Sequence, residues 1–565
     1  MHITAPPQSF DAIVIGSGIS GGYAAKELTE KGLRVLMLDR GKPLEHVTGY
    51  DTAMRDPWAM PHRGKLSTEQ IKAHPYMTRD AVYQEGNAHY WINDVDAPYT
   101  EKERFDWFRP DIVGGKSIMW GRQTYRLSDL DFEANAKEGI AVDWPIRYAD
   151  IAPWYSYVEK FVGISGEKLN LPQLPDSEFM PPMDMNCLEK HVADSMKSTY
   201  KGDRIMTIGR VAMLTAPKKI HTDLGRASCQ FRNLCNRGCP FGAYFSTQAA
   251  TLPAAMKTGK LTLRPHSMVA EVLYDAQKSR AKGVRVIDSL TGESHEYNSK
   301  IVLENASTLG STFVLMNSTS SRFPNGLGND SGVLGKYLMD HHFRVGANAS
   351  YEGYQDSYYY GRRANGIYIP RYRNIGTDKR DYLRGFGYQG RAVRGHNEGS
   401  EGFGADFKEK LTQPGNWTMG LGGFGECLPY ADNQVTLDQQ KTDKWGLPTM
   451  VFNAKFRENE QKMQKDMMND AAEMLEAAGL KNVTPYNNHS APGMAIHEMG
   501  TARMGRDPKT SILNKWNQMH AVKNVFVTDG AAMTSTSCVN PSLTYMALTA
   551  RAADFAVKEM KKGNI

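Results

Sequence analysis

Six cysteines in 565 residues are too few to staple a disulfide scaffold. Long apolar runs are missing too: none approaches the about 18 residues that a membrane span requires. Basic residues form no block, and 68 Lys and Arg stand against 62 Asp and Glu, a net of +6. So small an excess calls for neither nucleic acid nor an anionic membrane. The opening MHITAPPQSF lacks the basic-then-apolar leader pattern, so by its own text the chain reads as cytoplasmic. Internal repeats and low-complexity stretches are absent, which removes solenoids and disordered tails. What remains, 41% hydrophobic and 23% charged residues, is the composition of a folded soluble chain large enough for more than one domain-sized unit.

The clearest local signal lies in residues 10 to 41. FDAIVI is a β-branched apolar run, ISGGYAAKELTEKGL a helical pattern and RVLMLD a second apolar run, a β-α-β unit. Between strand and helix, Gly16, Gly18 and Gly21 stand in G-x-G-x-x-G order. In that setting the first glycine makes the turn, the second admits a pyrophosphate to the backbone, and the third lets helix and strand touch. The helix N-terminus adds free N–H groups and positive potential. Asp39 closes the second strand, where an acid would meet ribose hydroxyls. Glycines alone do not choose FAD over NAD.

Residues 51 to 104 are aromatic and proline-bearing without periodicity, an excursion. Trp144 to Gly166 predicts a helix, and the text from Leu261 to Ser307 alternates like an antiparallel meander. Residues 346 to 455 have the polar, glycine-rich character of exposed sheets. A helix is expected over 457–478, with Met467, Ala471, Met474 and Ala478 on one stripe and Gly479 as its stop. After Pro541 a last helix puts Leu543, Met546, Ala547, Ala550 and Val557 on one face. Proline restricts the residue before it and suits the first helical position, so Asn540 is expected to cap that helix.

HEMGTARMGRDP (His497 to Pro508), VFVTDGA (Val525 to Ala531, holding Asp529 and Gly530) and TSTSCVNPSLTYMALTARAADF (Thr534 to Phe555) resemble the glucose-methanol-choline oxidoreductase family. The glycine fingerprint, the loop VGGKSIMWG and the stretch ENASTLGS extend that resemblance over nearly the whole chain, least over 50–105 and 345–490. The resemblance implies an α/β fold, a Rossmann-type FAD-binding domain interleaved with a sheet-based α+β substrate domain. Approximate boundaries are 1–50, 105–140, 225–338 and 490–565 for FAD, and 51–104, 141–224 and 339–489 for substrate. Within the family the chain looks most like bacterial gluconate, fructose and glucose dehydrogenase flavoprotein subunits, glycoside 3-dehydrogenases and pyranose oxidases.

His497 matches the family's catalytic histidine and Asn540 the second member of the pair. Independently, a histidine with an ordinary pKa of about 6.5 suits the proton acceptor that alcohol oxidation needs, whereas an amide only orients the oxygen. The Asn540–Pro541 helix start would aim positive potential at the flavin. Gly114 and Gly115 would let the backbone pass the isoalloxazine; Met119 and Trp120 follow where some relatives carry a histidine bonded to FAD, so FAD is expected to be non-covalent. Val269 matches a valine whose backbone serves the adenine. The implied substrate is a sugar or glycoside, oxidised at a secondary hydroxyl, C3 of a pyranose. Gluconate or polyol 2-oxidation and sugar C1 oxidation are the alternatives. The implied partners are an electron acceptor such as a cytochrome and a small signal-bearing subunit, which would make the enzyme periplasmic.

Cys229, Cys235 and Cys239 stand at C-x5-C-x3-C, a density of thiols that suits iron or zinc. The stretch resembles the cluster-binding segment of the fructose and glucose dehydrogenase subunits, but Ser228 replaces a further cysteine and one spacing is a residue longer. These departures weigh against a [3Fe-4S] cluster and favour reduced structural thiols over a zinc site or disulfide. Finally, Tyr351 to Arg363 carries enough tyrosine to stack sugar rings, although such text more often forms an exposed sheet face.

Overall fold

The computed structural model describes residues 8–358, 366–396 and 401–565. Its first elements are β1 (Gln8–Ile15), α1 (Ile19–Glu30) and β2 (Val35–Leu38). Ala12 to Ile15 and Val35 to Leu38 are buried throughout, as expected of strands covered on both faces of a parallel sheet. There follow β3 (Leu261–Arg264), β4 (Ser267–Asp275), β5 (Arg280–Asp288), β6 (Ser294–Glu304), α2 (Thr308–Asn317), β7 (Val525–Val527) and α3 (Ser542–Lys561).

These strands make one seven-stranded sheet in the order β3-β2-β1-β6-β5-β4, with β7 also on β6. Only β4, β5 and the first half of β6 form the antiparallel meander read from the sequence. β3 instead runs parallel to β2, and Tyr297 to Glu304 of β6 parallel to β1. A period of two is the same for either partner, so alternation could not distinguish them. α1 and α3 cover one face, with Ala24, Ala25, Leu28, Ala553, Ala556 and Val557 in one cluster.

A second, six-stranded antiparallel sheet has the order 481–487, 342–351, 414–425, 386–396, 367–369 and 207–208. Helix Glu458–Ala477 packs Met463, Met467, Ala471 and Met474 against Val345, Ala347, Trp417 and Leu421 of that sheet. Gly479, at φ +76°, follows it as the predicted stop. The helix read over Trp144 to Gly166 is shorter, Tyr148–Val162, because Trp144 is fully buried in the preceding loop and donates its indole N–H to Ser535. No described helix is long and apolar enough to cross a membrane.

Candidate active site

The ends of β1, β2 and β6 and the starts of α1, α2 and α3 converge on a cavity of about 540 Å³. Gly16, Gly18, Asp39 and Val269 line one end, His497, Asn540 and Phe424 the other. At the first end each glycine has a separate reason. Gly16 has φ +87°, the left-handed region that favours glycine. A Cβ on Gly21 would sit 1.9 Å from the Gly16 carbonyl oxygen, whereas one on Gly18 would meet nothing within 4 Å. The middle position is therefore open towards the cavity, as backbone approach by a pyrophosphate requires.

Asp39 is held by three donors: the Ser17 N–H (2.9 Å) and hydroxyl (2.5 Å) on Oδ2, and the Gly41 N–H (2.8 Å) on Oδ1. Each carboxylate oxygen has two lone pairs, so Oδ1 keeps one free for a ribose hydroxyl. Ser17 also accepts the Gly114 N–H at 2.7 Å, which fastens the Gly114–Gly115 loop directly to the glycine turn. Both loop glycines have positive φ, +92° and +52°. Met119 and Lys116 of this loop reach the cavity, Lys116 paired with Glu498 at 2.9 Å. Asn305 Oδ1 is buried beside the cavity without a protein partner. Glu304, before it, is fully buried with neither oxygen hydrogen-bonded; burial, then Asp529, push its carboxyl well above the usual range. Asp529 accepts from Ser311 (2.5 Å) and the Ala531 N–H (3.0 Å), and burial raises it to about 6. A Cβ on Gly530 would press on Thr308 and the Glu498 carbonyl, so that position is kept small by packing.

At the other end, His497 Nε2 faces Asn540 Nδ2 at 3.3 Å and His497 Nδ1 faces His341 Nδ1 at 2.9 Å. His341 is buried, and its Nε2 lies 2.8 Å from the Ser537 carbonyl. Asn540 Oδ1 accepts from Gln389 Nε2 at 2.7 Å. Phe343 and Phe424 stack at 5.3 Å, and Phe424 lies 6.0 Å from the His497 ring. Burial, then His341 and Lys116, push the His497 imidazolium well below the ordinary histidine range, so the ring is neutral at pH 7. The loop bearing it hangs on Asp340, which accepts the N–H groups of Gly493 (2.7 Å), Ala495 (3.0 Å) and His497 (3.0 Å).

One expectation changes. Asn540 does not cap α3: Pro541 stands at the cap, its carbonyl accepting the Tyr545 N–H at 3.1 Å. The Asn540 amide is instead spent between Gln389 and His497. Tyr351 and Tyr354 of the tyrosine run pack on His191 and do not line the cavity; residues 359–363 of that run lie outside the described residues. Cys229, Cys235 and Cys239 do gather on Met213 and Tyr244, and no cysteine is disulfide-bonded. Among the described residues no group of three His, Cys, Asp or Glu has a metal-holding arrangement.

A dinucleotide turn leading by one continuous cavity to a neutral histidine and an amide describes an oxidoreductase that removes hydrogen from an alcohol. Matches to GMC oxidoreductase over residues 10–343 and 429–549 cover most of the chain, which therefore belongs to the GMC oxidoreductase family. Members bind FAD and act on CH–OH donors, and so does this enzyme. The chain is 28% identical to the 2-methyl-1,2-propanediol dehydrogenase of Mycolicibacterium austroafricanum, over 98% of this chain and 96% of that protein. Identity to the fructose dehydrogenase large subunit of Gluconobacter japonicus is 25%, covering 98% and 99%. To the 6'''-hydroxyparomomycin C oxidase of Streptomyces lividus it is 24%, covering 95% and 89%. A solved structure of formate oxidase from Aspergillus oryzae RIB40 superposes with a TM-score of 0.63 at 14% identity, over 99% of this chain and all of that one.

Proposed function

We propose that this FAD-dependent enzyme oxidises a secondary hydroxyl of a sugar or glycoside, C3 of a pyranose, with His497 as base. The observation that carries the mechanism is His497 Nε2 facing Asn540 Nδ2 at 3.3 Å on the cavity wall. An alcohol oxygen entering there donates its proton to Nε2 and accepts from the amide, so one carbinol is presented in one orientation. FAD, when bound, supplies the hydride acceptor. Non-covalent binding is supported by Met119 and Trp120 in the loop and by the polar cradle at Gly16–Gly18, Asp39 and Val269. Pro541 and Ser542 bring the positive end of α3 to the cavity.

The sugar reading is supported by relatives named for fructose and aminoglycoside substrates, and an electron-carrier partner by one of them being called a large subunit. The two sheets support the proposed interleaved FAD and substrate units. A second reading, a small branched diol, is favoured by the stacked Phe343–Phe424 wall and by the propanediol dehydrogenase relative. Anaerobic bleaching decides between them. Methyl glucoside or a disaccharide should bleach the enzyme and give a 3-keto sugar by NMR. Bleaching by 2-methyl-1,2-propanediol with refusal of glycosides selects the diol, and bleaching by free glucose or gluconate alone selects C1 or C2 oxidation. His497→Ala should slow bleaching on the order of 10²- to 10⁴-fold with FAD still bound, the worth of a positioned base; near-normal bleaching rejects the mechanism.

A further inference from the structure

Five groups lie in one hydrogen-bonded row: Gln389 Nε2 to Asn540 Oδ1 (2.7 Å), Asn540 Nδ2 to His497 Nε2 (3.3 Å), His497 Nδ1 to His341 Nδ1 (2.9 Å), and His341 Nε2 to the Ser537 carbonyl (2.8 Å). The row has one end that cannot be reversed. A carbonyl oxygen only accepts, so the His341 proton sits on Nε2. Burial lowers His341 to about 4, so at neutral pH the ring carries that one proton, and its Nδ1 is a lone pair. His497 Nδ1 must then donate, which leaves Nε2 of His497 bare. The reverse polarity would set a His341 Nε2 lone pair against the Ser537 oxygen, two acceptors at 2.8 Å in a buried place.

We propose that His341 and Gln389 are positioning residues that fix the tautomer of His497 from both ends of this row, so that Nε2 is always the proton acceptor. This rests on His497 being the base. In a free neutral histidine the two tautomers interconvert, and the one with hydrogen on Nε2 is useless to an alcohol at that atom. Gln389 does the matching work on the amide. By donating to Oδ1 it turns the Asn540 NH2 towards His497 and the alcohol, where a flipped amide would offer a second acceptor. Neither residue reaches its partner by sequence proximity; the strand over residues 386–396 supplies Gln389, and the residue before the strand over 342–351 supplies His341. The titratable and charged groups around His497 are His341, Asp340, Lys116 and Glu498.

The test uses the FAD-loaded enzyme labelled with 15N at histidine Nδ1 only, and reads the tautomer without turnover. The wild type should show a directly bonded Nδ1–H signal that disappears in His497→Ala. His341→Asn keeps an acceptor at the same place and should keep the signal; His341→Leu should lose it. In parallel, His341→Leu and Gln389→Leu should slow alcohol-driven bleaching on the order of 10- to 100-fold, the range for groups that orient a histidine. FAD content should be unchanged and His341→Asn should recover most of the rate. A wild-type Nδ1–H signal that survives His497→Ala and vanishes with His341→Asn means the opposite polarity and overturns the proposal. So does an unimpaired rate in His341→Leu. If His497→Ala itself oxidises alcohol normally, the functional reading fails instead, and the spectrum still reports the tautomer.

Discussion

Asp340 accepts the backbone N–H of His497 at 3.0 Å, so a carboxyl group buried one residue before His341 fixes the main chain of the proposed base while His341 meets its ring. Its other oxygen takes the N–H groups of Gly493 and Ala495. Burial, then Glu498, raise this carboxyl to about 7 in spite of the three donors.

The isosteric change Asp340→Asn therefore has a directional outcome. The amide must turn its NH2 towards one side, and the side with a single bond, the His497 N–H, is the cheaper to lose. Stability should drop by about 1.5–3 kcal/mol, the worth of a hydrogen bond to a charged group. Bleaching should slow by up to on the order of 10²-fold, because a displaced base is costly. Chemical denaturation and stopped-flow bleaching check this; a variant with wild-type rate would show that Asp340 does not position His497.

The depressed His497 also sets a pH expectation. A base whose imidazolium is held well below the ordinary value stays competent on the acid side of it. In Asp340→Asn, which removes the carboxyl raised to about 7, anaerobic bleaching should be flat from pH 8 down to about 6.5, the unperturbed histidine value, and fall only at lower pH. The sign follows from burial: removing the charged form's hydration favours the neutral ring, so more acid is needed to protonate it. An acid limb centred at or above the unperturbed value in this variant would contradict the burial seen here.

Much of this was legible where the chemistry is local. Gly16, Gly18 and Gly21 declare a turn, and the stripe Met467, Ala471 and Met474 declares a helix face, because each depends on neighbours within a turn or two. His497 and Asn540 were legible through motif resemblance. His341, Gln389 and Asp340 were not. Their partners lie 156, 151 and 157 residues away and meet them only through tertiary folding, which leaves no periodicity to read. Asn540 misled for the same reason: Asn before Pro is a fair cap locally, but Gln389 and His497 outbid the helix for its amide.

The third glycine offers a test of packing apart from catalysis. A Cβ on Gly21 would lie 1.9 Å from the Gly16 carbonyl, and backbone cannot step aside as a side chain can. Gly21→Ala should thus separate α1 from the β1 turn and cost about 1–3 kcal/mol, typical of overpacking. FAD should dissociate more readily, seen as loss of yellow colour on gel filtration, while Gly18→Ala, with open space around it, should stay folded and be impaired only in FAD affinity. Equal stability of the Gly21 variant and wild type would be inconsistent with this contact.

The cysteine stretch gives the last expectation. Burial pushes the Cys229 thiol of the metal-free chain up to about 11 and raises Cys235 as well. Arg122 opposes that rise at both, but burial is the larger effect. A partly buried cysteine packs as a small apolar group, and these three lie against Met213 and Tyr244 as such groups do. Because Ser228 stands where a further cysteine would and one spacing is a residue longer, anaerobically purified protein should carry iron and acid-labile sulfide near zero. All six cysteines should titrate as free thiols once the chain is denatured, and Cys229 and Cys235 should react slowly with a thiol reagent at pH 7 in the native state. About three irons per chain with matching sulfide, the content of a [3Fe-4S] centre, would reverse this and make Cys229, Cys235 and Cys239 an electron exit from the enzyme.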